Sequence, residues 1–149
     1  RFLPDFFTKC GELLRPHGKM LLQAITITDQ RYRQYARTVD FIQRYIFPGG
    51  CIPSNTRMLQ LISEKTDMVV RHLDDFGFDY ARTLQDWRKR FHDGYETLRD
   101  KGYDETFKRL WEFYLCYCEG GFEEREIGVV QAVFEKPSLR RESVLGKLA

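Results

Sequence analysis

Two cysteines in an aromatic setting are the residues of this sequence best placed to do chemistry. Cys116 and Cys118 are followed at once by Gly120 and Gly121. Around them, aromatic side chains recur at spacings of three and four and share one helix face. They are Phe107, Trp111, Tyr114 and, if the helix continues past the glycines, Phe122. Residues 127–134 are apolar and β-branched, as in a buried strand. The stretch predicts one wall of a pocket.

Composition indicates one globular domain with an ordinary core. The chain has 149 residues, of which 42% are hydrophobic and 31% charged. An aromatic content of 15% suits either a stiff core or an apolar pocket. A net charge of +2 favours no electrostatic partner, and the basic clusters are more simply solvated helix faces. No apolar run approaches the roughly 20 residues of a membrane span.

The four cysteines match neither a disulfide framework nor a zinc ribbon. A thiol or metal site built on Cys116 and Cys118 is therefore a weak alternative. We expect reduced thiols in a cytoplasmic protein.

The elements that must position these residues follow the rhythm of an open α/β fold. Residues 19–27 are apolar on both faces and predict a central strand. Residues 28–37 and 94–104 predict irregular connections, and Asp79 predicts a helix cap. The other predicted elements are helices over 3–14, 39–46 and 55–65, a strand over 67–76, and helices beginning near 79 and 105.

Polar side chains next to predicted strands are the next candidates. Gln23 interrupts the strand near its C-terminal end, where ligands bind in open α/β sheets. A core glutamine bonded to backbone explains its spacing equally well. His72 beside Asp74 and Asp75 suggests a metal or acid–base site, but an ordinary acidic turn is favoured.

One tyrosine stands out in the helix after Asp79. Tyr80, Leu84, Trp87 and Phe91 share a face. We expect the last three to pack the core, while the Tyr80 phenol points into a pocket.

Three segments of the chain resemble one enzyme family. Residues 114–122, with Arg125, Gly128 and Gln131 after them, are similar to the C-terminal end of the cyclopropane fatty acid synthases. Residues 40–54, DFIQRYIFPGGCIPS, resemble the family's most recognisable loop, and residues 79–91 its penultimate helix. These enzymes are S-adenosylmethionine-dependent methyltransferases and include the mycolic acid cyclopropane synthases.

The resemblance implies an α/β fold, the C-terminal portion of a Rossmann-like class I methyltransferase with a helical cap insertion. Residues 1–137 would be the C-terminal part of the domain, the cap would span about 37–66, and 138–149 would be a charged, mobile tail. A glycine-rich turn for the cofactor is not found in the sequence. The cofactor-binding residues are therefore expected upstream of this chain, and we do not expect these 149 residues to catalyse the reaction alone.

The resemblance also implies a reaction. A methylene passes from S-adenosylmethionine to the cis double bond of a lipid acyl chain, with bicarbonate as base. By position, Gln23, Ile25 and Tyr80 would bind bicarbonate. Gln23 departs from the histidine common in the family and cannot carry a titratable proton.

Cys118 and Tyr80 match catalytic positions of the family. We expect Cys118 to act through position or polarity rather than nucleophilic attack, because methyl transfer to an alkene needs no thiolate. Tyr114, Tyr117, Phe122 and Leu84 would line the acyl-chain pocket. In the cap, Tyr45, Ile46, Met58 and Leu61 would line a lipid channel or belong to ordinary core.

The expected partners are phospholipid acyl chains at a membrane surface, with no nucleic acid and with a homodimer left open. The location expected is cytoplasmic and peripheral to the membrane. A methyl-branched product is one alternative, and a non-catalytic lipid-binding or dimerisation module is another. An unpaired apolar sheet edge would favour aggregation or domain-swapped pairing.

Overall fold

Helices and short strands alternate along the chain in this computed structural model, which describes residues 2–140. The predicted tail lies largely beyond them, at 141–149. The helices are α1 (Leu3–Leu13), α2 (Asp29–Tyr35), a π-helix (Ile42–Ile46), α3 (Asn55–Lys65), α4 (Gly77–Arg99) and α5 (Glu105–Glu123). The strands are β1 (Lys19–Ile27), β2 (Val69–Asp75) and β3 (Ile127–Glu135).

The bounds predicted for β1 and α3 are confirmed, but three local predictions are wrong. Residues 28–37 contain α2, so they are not irregular. Helix α4 begins at Gly77, so Asp79 lies in its first turn and does not cap it. The same helix continues through Gly94 to Arg99, where a loop was predicted.

The three strands form one sheet in the order β1–β3–β2. At one end of β3, the Thr28 N–H donates to the Glu126 carbonyl (3.2 Å), and at the other the Lys136 N–H donates to the Gly18 carbonyl (3.0 Å). Residue numbers along β1 fall from 28 to 18 while those of the paired residues rise from 126 to 136, so β3 runs antiparallel to β1. Strand β1 is therefore an edge strand of the described sheet, and its prediction as a central strand is wrong.

The chain divides into two compact units, and the division crosses all three strands. The first comprises residues 2–23, 56–74 and 131–140 of the described chain. Its core holds Phe7, whose ring meets Phe134 edge to face at 6.3 Å, together with Met58 and Leu61 of α3. Buried Glu135 is paired with Arg71 (3.0 Å), so its carboxylate is not left uncompensated.

The second unit comprises Ala24–Asn55 and Asp75–Val130. Helices α4 and α5 pack along each other within it. Its fully buried cluster comprises Ala81, Leu84, Leu115, Phe122 and Val129. The Arg88 guanidinium spans the two helices and bonds both carboxylate oxygens of Glu119, at 3.1 and 3.2 Å. The candidate site lies within this second unit.

Candidate functional site

A cavity of about 530 Å³ opens in the second unit. Its wall is built by the end of β1, by α2 and the segment after it, by α4, and by the C-terminal half of α5. Most of the lining side chains are aromatic or aliphatic. They include Ile25, Ile27, Ile42, Phe47, Ile52, Leu84, Trp87, Phe122 and Ile127. A cavity of this size and lining suits an apolar chain better than a polar metabolite.

Helix α5 supplies the wall that the aromatic spacing predicts. It begins at the Asp104 cap, whose Oδ1 accepts the Phe107 N–H at 2.8 Å. It then continues past both glycines to Glu123. Cys118, Gly120 and Gly121 all line the cavity. A Cβ at Gly120 would meet no atom within 4 Å, so this glycine leaves the cavity open at its side.

Helix α4 forms the facing wall. The Tyr80 ring lies 5.1 Å from Phe122 and 6.0 Å from Trp87, measured between centroids. Leu84 is 1% exposed and closes the floor behind them. Tyr80 thus points into the cavity as predicted, while Trp87, predicted to be core, lines it as well.

The segment from α2 to Ile52 forms a third wall. The Phe41 ring packs against Phe113 of α5 at 4.6 Å, and the Phe47 ring lies 6.2 Å from Tyr114. The Ile52 N–H donates to the Tyr35 hydroxyl at 3.3 Å, which holds the two ends of the segment together. Aromatic contacts therefore attach this segment directly to α5.

The Cys118 thiol and the Tyr114 and Tyr117 phenols in the cavity wall stay protonated at neutral pH, because their pKa values are raised. Burial, and then the negative charge of Asp40, raise the pKa of the Cys118 thiol to about 11. Burial is also the main cause that raises the pKa values of Tyr114 and Tyr117. Cys118 is accordingly a neutral thiol, which agrees with positioning and argues against nucleophilic attack.

Charged groups gather at the rim. Arg31 and Glu126 form an ion pair, and Glu126 raises the pKa of the guanidinium by its hydrogen bond and its charge. Asp40 and Glu124 also line the cavity. The Asp40 Oδ1 accepts the Gln43 N–H at 2.8 Å, and the Asp40 N–H donates to the Gln43 Oε1 at 2.9 Å.

A second cavity, of about 410 Å³, lies in the same unit. Ile27, Phe122 and Ile127 line both cavities and so form a shared wall. The other lining residues are mostly short and polar: Thr26, Thr28, Asp29, Gln30, Asn55, Asp75, Gly77, Phe78, Arg125 and Gly128. The Arg125 guanidinium lies over the Phe78 ring, 4.7 Å from its centroid.

Seven of the eight predicted site residues line the first cavity. They are Ile25, Tyr80, Leu84, Tyr114, Tyr117, Cys118 and Phe122. Gln23 is not among the lining residues: it is exposed, and its Oε1 accepts a hydrogen bond from Gln131 at 3.0 Å. Its role as a bicarbonate ligand stays a prediction.

The cap residues named from the sequence do not line this cavity. Met58 and Leu61 belong to the core of the first unit, and Tyr45 is 58% exposed. Asp40, by contrast, does line it and was overlooked. Its position at the start of the DFIQRYIFPGG stretch was the available signal, since a carboxylate beside an aromatic run is unusual for a core segment.

The alternative thiol or metal site gains no support. Within residues 2–140, no group of three or more histidine, cysteine or acidic residues could hold a metal ion. His72 is exposed. In the same described part of the chain, no helix is long and apolar enough to cross a membrane.

The arrangement of sheet and helices matches solved structures of S-adenosylmethionine-dependent methyltransferases. A mycolic acid cyclopropane synthase, CmaA1, solved with SAH and CTAB, matches 91% of this chain and 50% of its own, with a TM-score of 0.80 and 26% identity. This match confirms the predicted fold class.

The family model for mycolic acid cyclopropane synthetase matches residues 1–132. The chain belongs to this family of S-adenosylmethionine-dependent lipid methyltransferases and cyclopropane synthases. The tuberculostearic acid methyltransferase UfaA1 of Mycobacterium tuberculosis is 37% identical over 88% of the chain and 31% of its own length. The cyclopropane-fatty-acyl-phospholipid synthase of Escherichia coli K12 is 35% identical over 88% and 32%. The chain thus spans about a third of these relatives.

Proposed function

We propose that the protein carrying this chain transfers one carbon from S-adenosylmethionine to the cis double bond of a lipid acyl chain and closes a cyclopropane ring. The observation that carries the proposal is the cavity, because seven of the eight residues predicted for such a site line it. Its apolar wall fits an acyl chain, and its aromatic rings fit a reaction that passes through positive charge. Family membership supplies the donor class.

The proposed reaction has two bond-forming stages. S-Adenosylmethionine supplies an electrophilic methyl group when bound. The alkene electron pair would form a bond to that methyl carbon while the methyl–sulfur bond breaks, so that its electrons stay on the sulfur of the departing S-adenosylhomocysteine and the second alkene carbon is left with a positive charge. Loss of a proton from the new methyl group to a base then lets its electron pair close the ring. The net change in the lipid is one added CH₂ and the loss of one double bond.

The residues of this chain would hold the acyl chain and protect the cation. Phe122, Leu84 and Ile127 exclude water, which would otherwise trap the cation. The rings of Tyr80, Trp87 and Tyr114 face the same space and can stabilise positive charge. We assign Cys118 a positioning role as a neutral thiol.

The residues predicted to bind bicarbonate bring few hydrogen-bonding groups to the cavity. Of the three residues predicted to bind bicarbonate, only Tyr80 brings a side-chain donor to the cavity. The Ile25 side chain cannot hydrogen-bond, and Gln23 is bonded to Gln131. These three side chains do not by themselves form an anion site, so we derive no step through bicarbonate.

A methyl-branched product is the second candidate. It is favoured by UfaA1, which is named a methyltransferase rather than a synthase and is 37% identical to the chain. The cation would then lose a proton from a neighbouring chain carbon, and a separate reductant would have to saturate the resulting double bond.

The test is expression of the uninterrupted gene that contains this chain, in a host with unsaturated lipids and no such enzyme. Mass spectrometry of the acyl chains would show one added CH₂, and catalytic deuteration would count the remaining double bonds. A product that gains CH₂ and takes up no deuterium supports the ring. A product that gains CH₂ and takes up deuterium supports a methylated alkene instead.

A matched variant links the result to the cavity. Tyr80→Phe removes the hydroxyl group and keeps the ring contacts, so we expect a lower yield of modified lipid at an unchanged protein level. Unchanged lipids in cells that express the wild-type protein well would contradict both products and favour the lipid-binding module.

A further inference from the structure

Among the described residues, the carboxylate of Asp40 lines the aromatic cavity and has no cationic partner. Within residues 2–140, Asp40 forms no ion pair with a lysine, arginine or histidine. It is half-buried, and the reciprocal hydrogen bonds with Gln43 fix its position at the start of the π-helix segment. A partly buried charge of this kind normally has a compensating partner.

The charge of Asp40 acts on groups on other walls of the cavity. It is one of the causes that raise the pKa values of Cys118 and Tyr117 on α5, after burial in both cases. It also contributes, after burial, to the raised pKa of Tyr35 on α2. The carboxylate therefore affects the interior of the cavity as well as its rim.

The other charged lining groups do not compensate it. Arg31 is paired with Glu126, and Glu124 adds a further negative charge. The lining thus contains three negatively charged side chains and one positively charged side chain, Arg31. Rings of Tyr35, Tyr80, Trp87, Tyr114 and Tyr117 surround the same space. Aromatic faces with a nearby carboxylate are the arrangement that binds sulfonium and quaternary ammonium groups.

We propose that Asp40 is a charge-selecting residue, which favours a positively charged centre carried by, or lying beside, an apolar chain in this cavity. The inference rests on the proposed function, in which positive charge passes from a sulfonium to an acyl carbon. Asp40 acts through the electric field of its negative charge, so it accepts no proton and forms no covalent bond.

The experiment compares three twelve-carbon amphiphiles below their micellar concentrations. Dodecyltrimethylammonium carries a cation, dodecyl maltoside is uncharged, and dodecyl sulfate is anionic. Calorimetry measures their binding to the chain and to Asp40→Asn. Asparagine keeps the oxygen that accepts the Gln43 N–H, so this hydrogen bond survives the substitution.

We expect Asp40→Asn to weaken binding of the ammonium amphiphile roughly tenfold and to change the maltoside affinity by less than about twofold. Glu124→Gln is the matched control, because it removes the same charge from an exposed residue that lines the same cavity. Its effect should be smaller and should vanish in high salt, since exposed charges are screened.

The ratio of the dodecyltrimethylammonium affinity to the dodecyl maltoside affinity is decisive. A merely structural role of Asp40 would weaken the binding of all three amphiphiles equally. Equal losses, an unchanged ratio, or an equal effect of Glu124→Gln would each overturn the proposal. If the chain binds amphiphiles without regard to charge, the Asp40 inference fails and the proposed acyl cavity stands. If it binds none of them, both fail.

Discussion

The two cavities of the second unit share a wall and differ in what completes it. Ile27, Phe122 and Ile127 face both spaces. On one side, rings from α4 and α5 complete a space of about 530 Å³. On the other, short polar side chains around the end of β1 and the start of α4 complete a space of about 410 Å³. The same three apolar side chains therefore belong to the proposed acyl-chain cavity only on the side where the aromatic rings of α4 and α5 face them.

Removing the shared wall should have the largest effect. Phe122 is 2% exposed, and Phe122→Ala should destabilise the fold by about 3–5 kcal/mol because it leaves a hole between the two cavities. Urea unfolding measures the change. Phe78→Ala is the control: Phe78 is 56% exposed, lines the second cavity but not the aromatic one, and its substitution should cost under about 1 kcal/mol. Equal costs would show that the shared wall is not a structural element.

The aromatic side should also suppress thiol reactivity. With Cys10, Cys51 and Cys116 changed to serine, Cys118 should alkylate slowly at pH 7, because its pKa of about 11 leaves little thiolate. A raised pKa moves thiolate formation to higher pH, so the iodoacetamide rate should rise about 100-fold from pH 7 to pH 9. A plateau below pH 9 would contradict this. A chain that retains only exposed Cys51 controls for the reagent.

Filling the aromatic cavity should separate binding from stability. Gly120→Leu projects a side chain into open space, so it should weaken dodecyl maltoside binding at least about tenfold without loss of stability. Gly94→Leu is matched to it, since Gly94 also lies within a helix, has open space at its Cβ and does not line the cavity. Similar dodecyl maltoside affinities of the two variants would show that the amphiphile binds outside this cavity.

The smallest effect is expected on the polar side. The Asp75 Oδ1 accepts the Gly77 N–H at 2.9 Å at the start of α4, so Asp75→Ala should cost about 1 kcal/mol. Amphiphile binding should not change, because Asp75 lines only the polar cavity. Exposed Asp74, changed to Ala, is the control for loss of charge alone. A large loss of binding in Asp75→Ala would mean that the cavities are coupled.

The aromatic side was predictable from the sequence because its signal is local. The spacing of Trp111, Tyr114 and Cys118 describes one helix face, and the structure has that face on the cavity or packed against the core. Helix α2 was missed for the opposite reason: none of its residues is buried, so it has no apolar stripe. Gly94 was taken as a helix end although nothing crowds it.

Non-local features were beyond the sequence pattern. The apolar run of β1 predicts burial but does not say which strands flank it, and β3 enters the sheet from the far end of the chain. Strand β1 instead shows alternating exposure along an edge. Asp40 was missed because its importance depends on residues 70 to 80 positions away that complete the cavity.

The open space beside Gly120 has a consequence for substrate choice. Under the proposed function, an acyl chain advances into the cavity until its end meets the wall, so the depth of the cavity decides which carbon lies beside the reacting groups. The unfilled position at Gly120 on α5 would then contribute to how much of the acyl chain the cavity can hold. Side chains of increasing volume at residue 120 would shorten, step by step, the length of acyl chain that the cavity can hold. The modified carbon would then move along the lipid by a corresponding number of bonds.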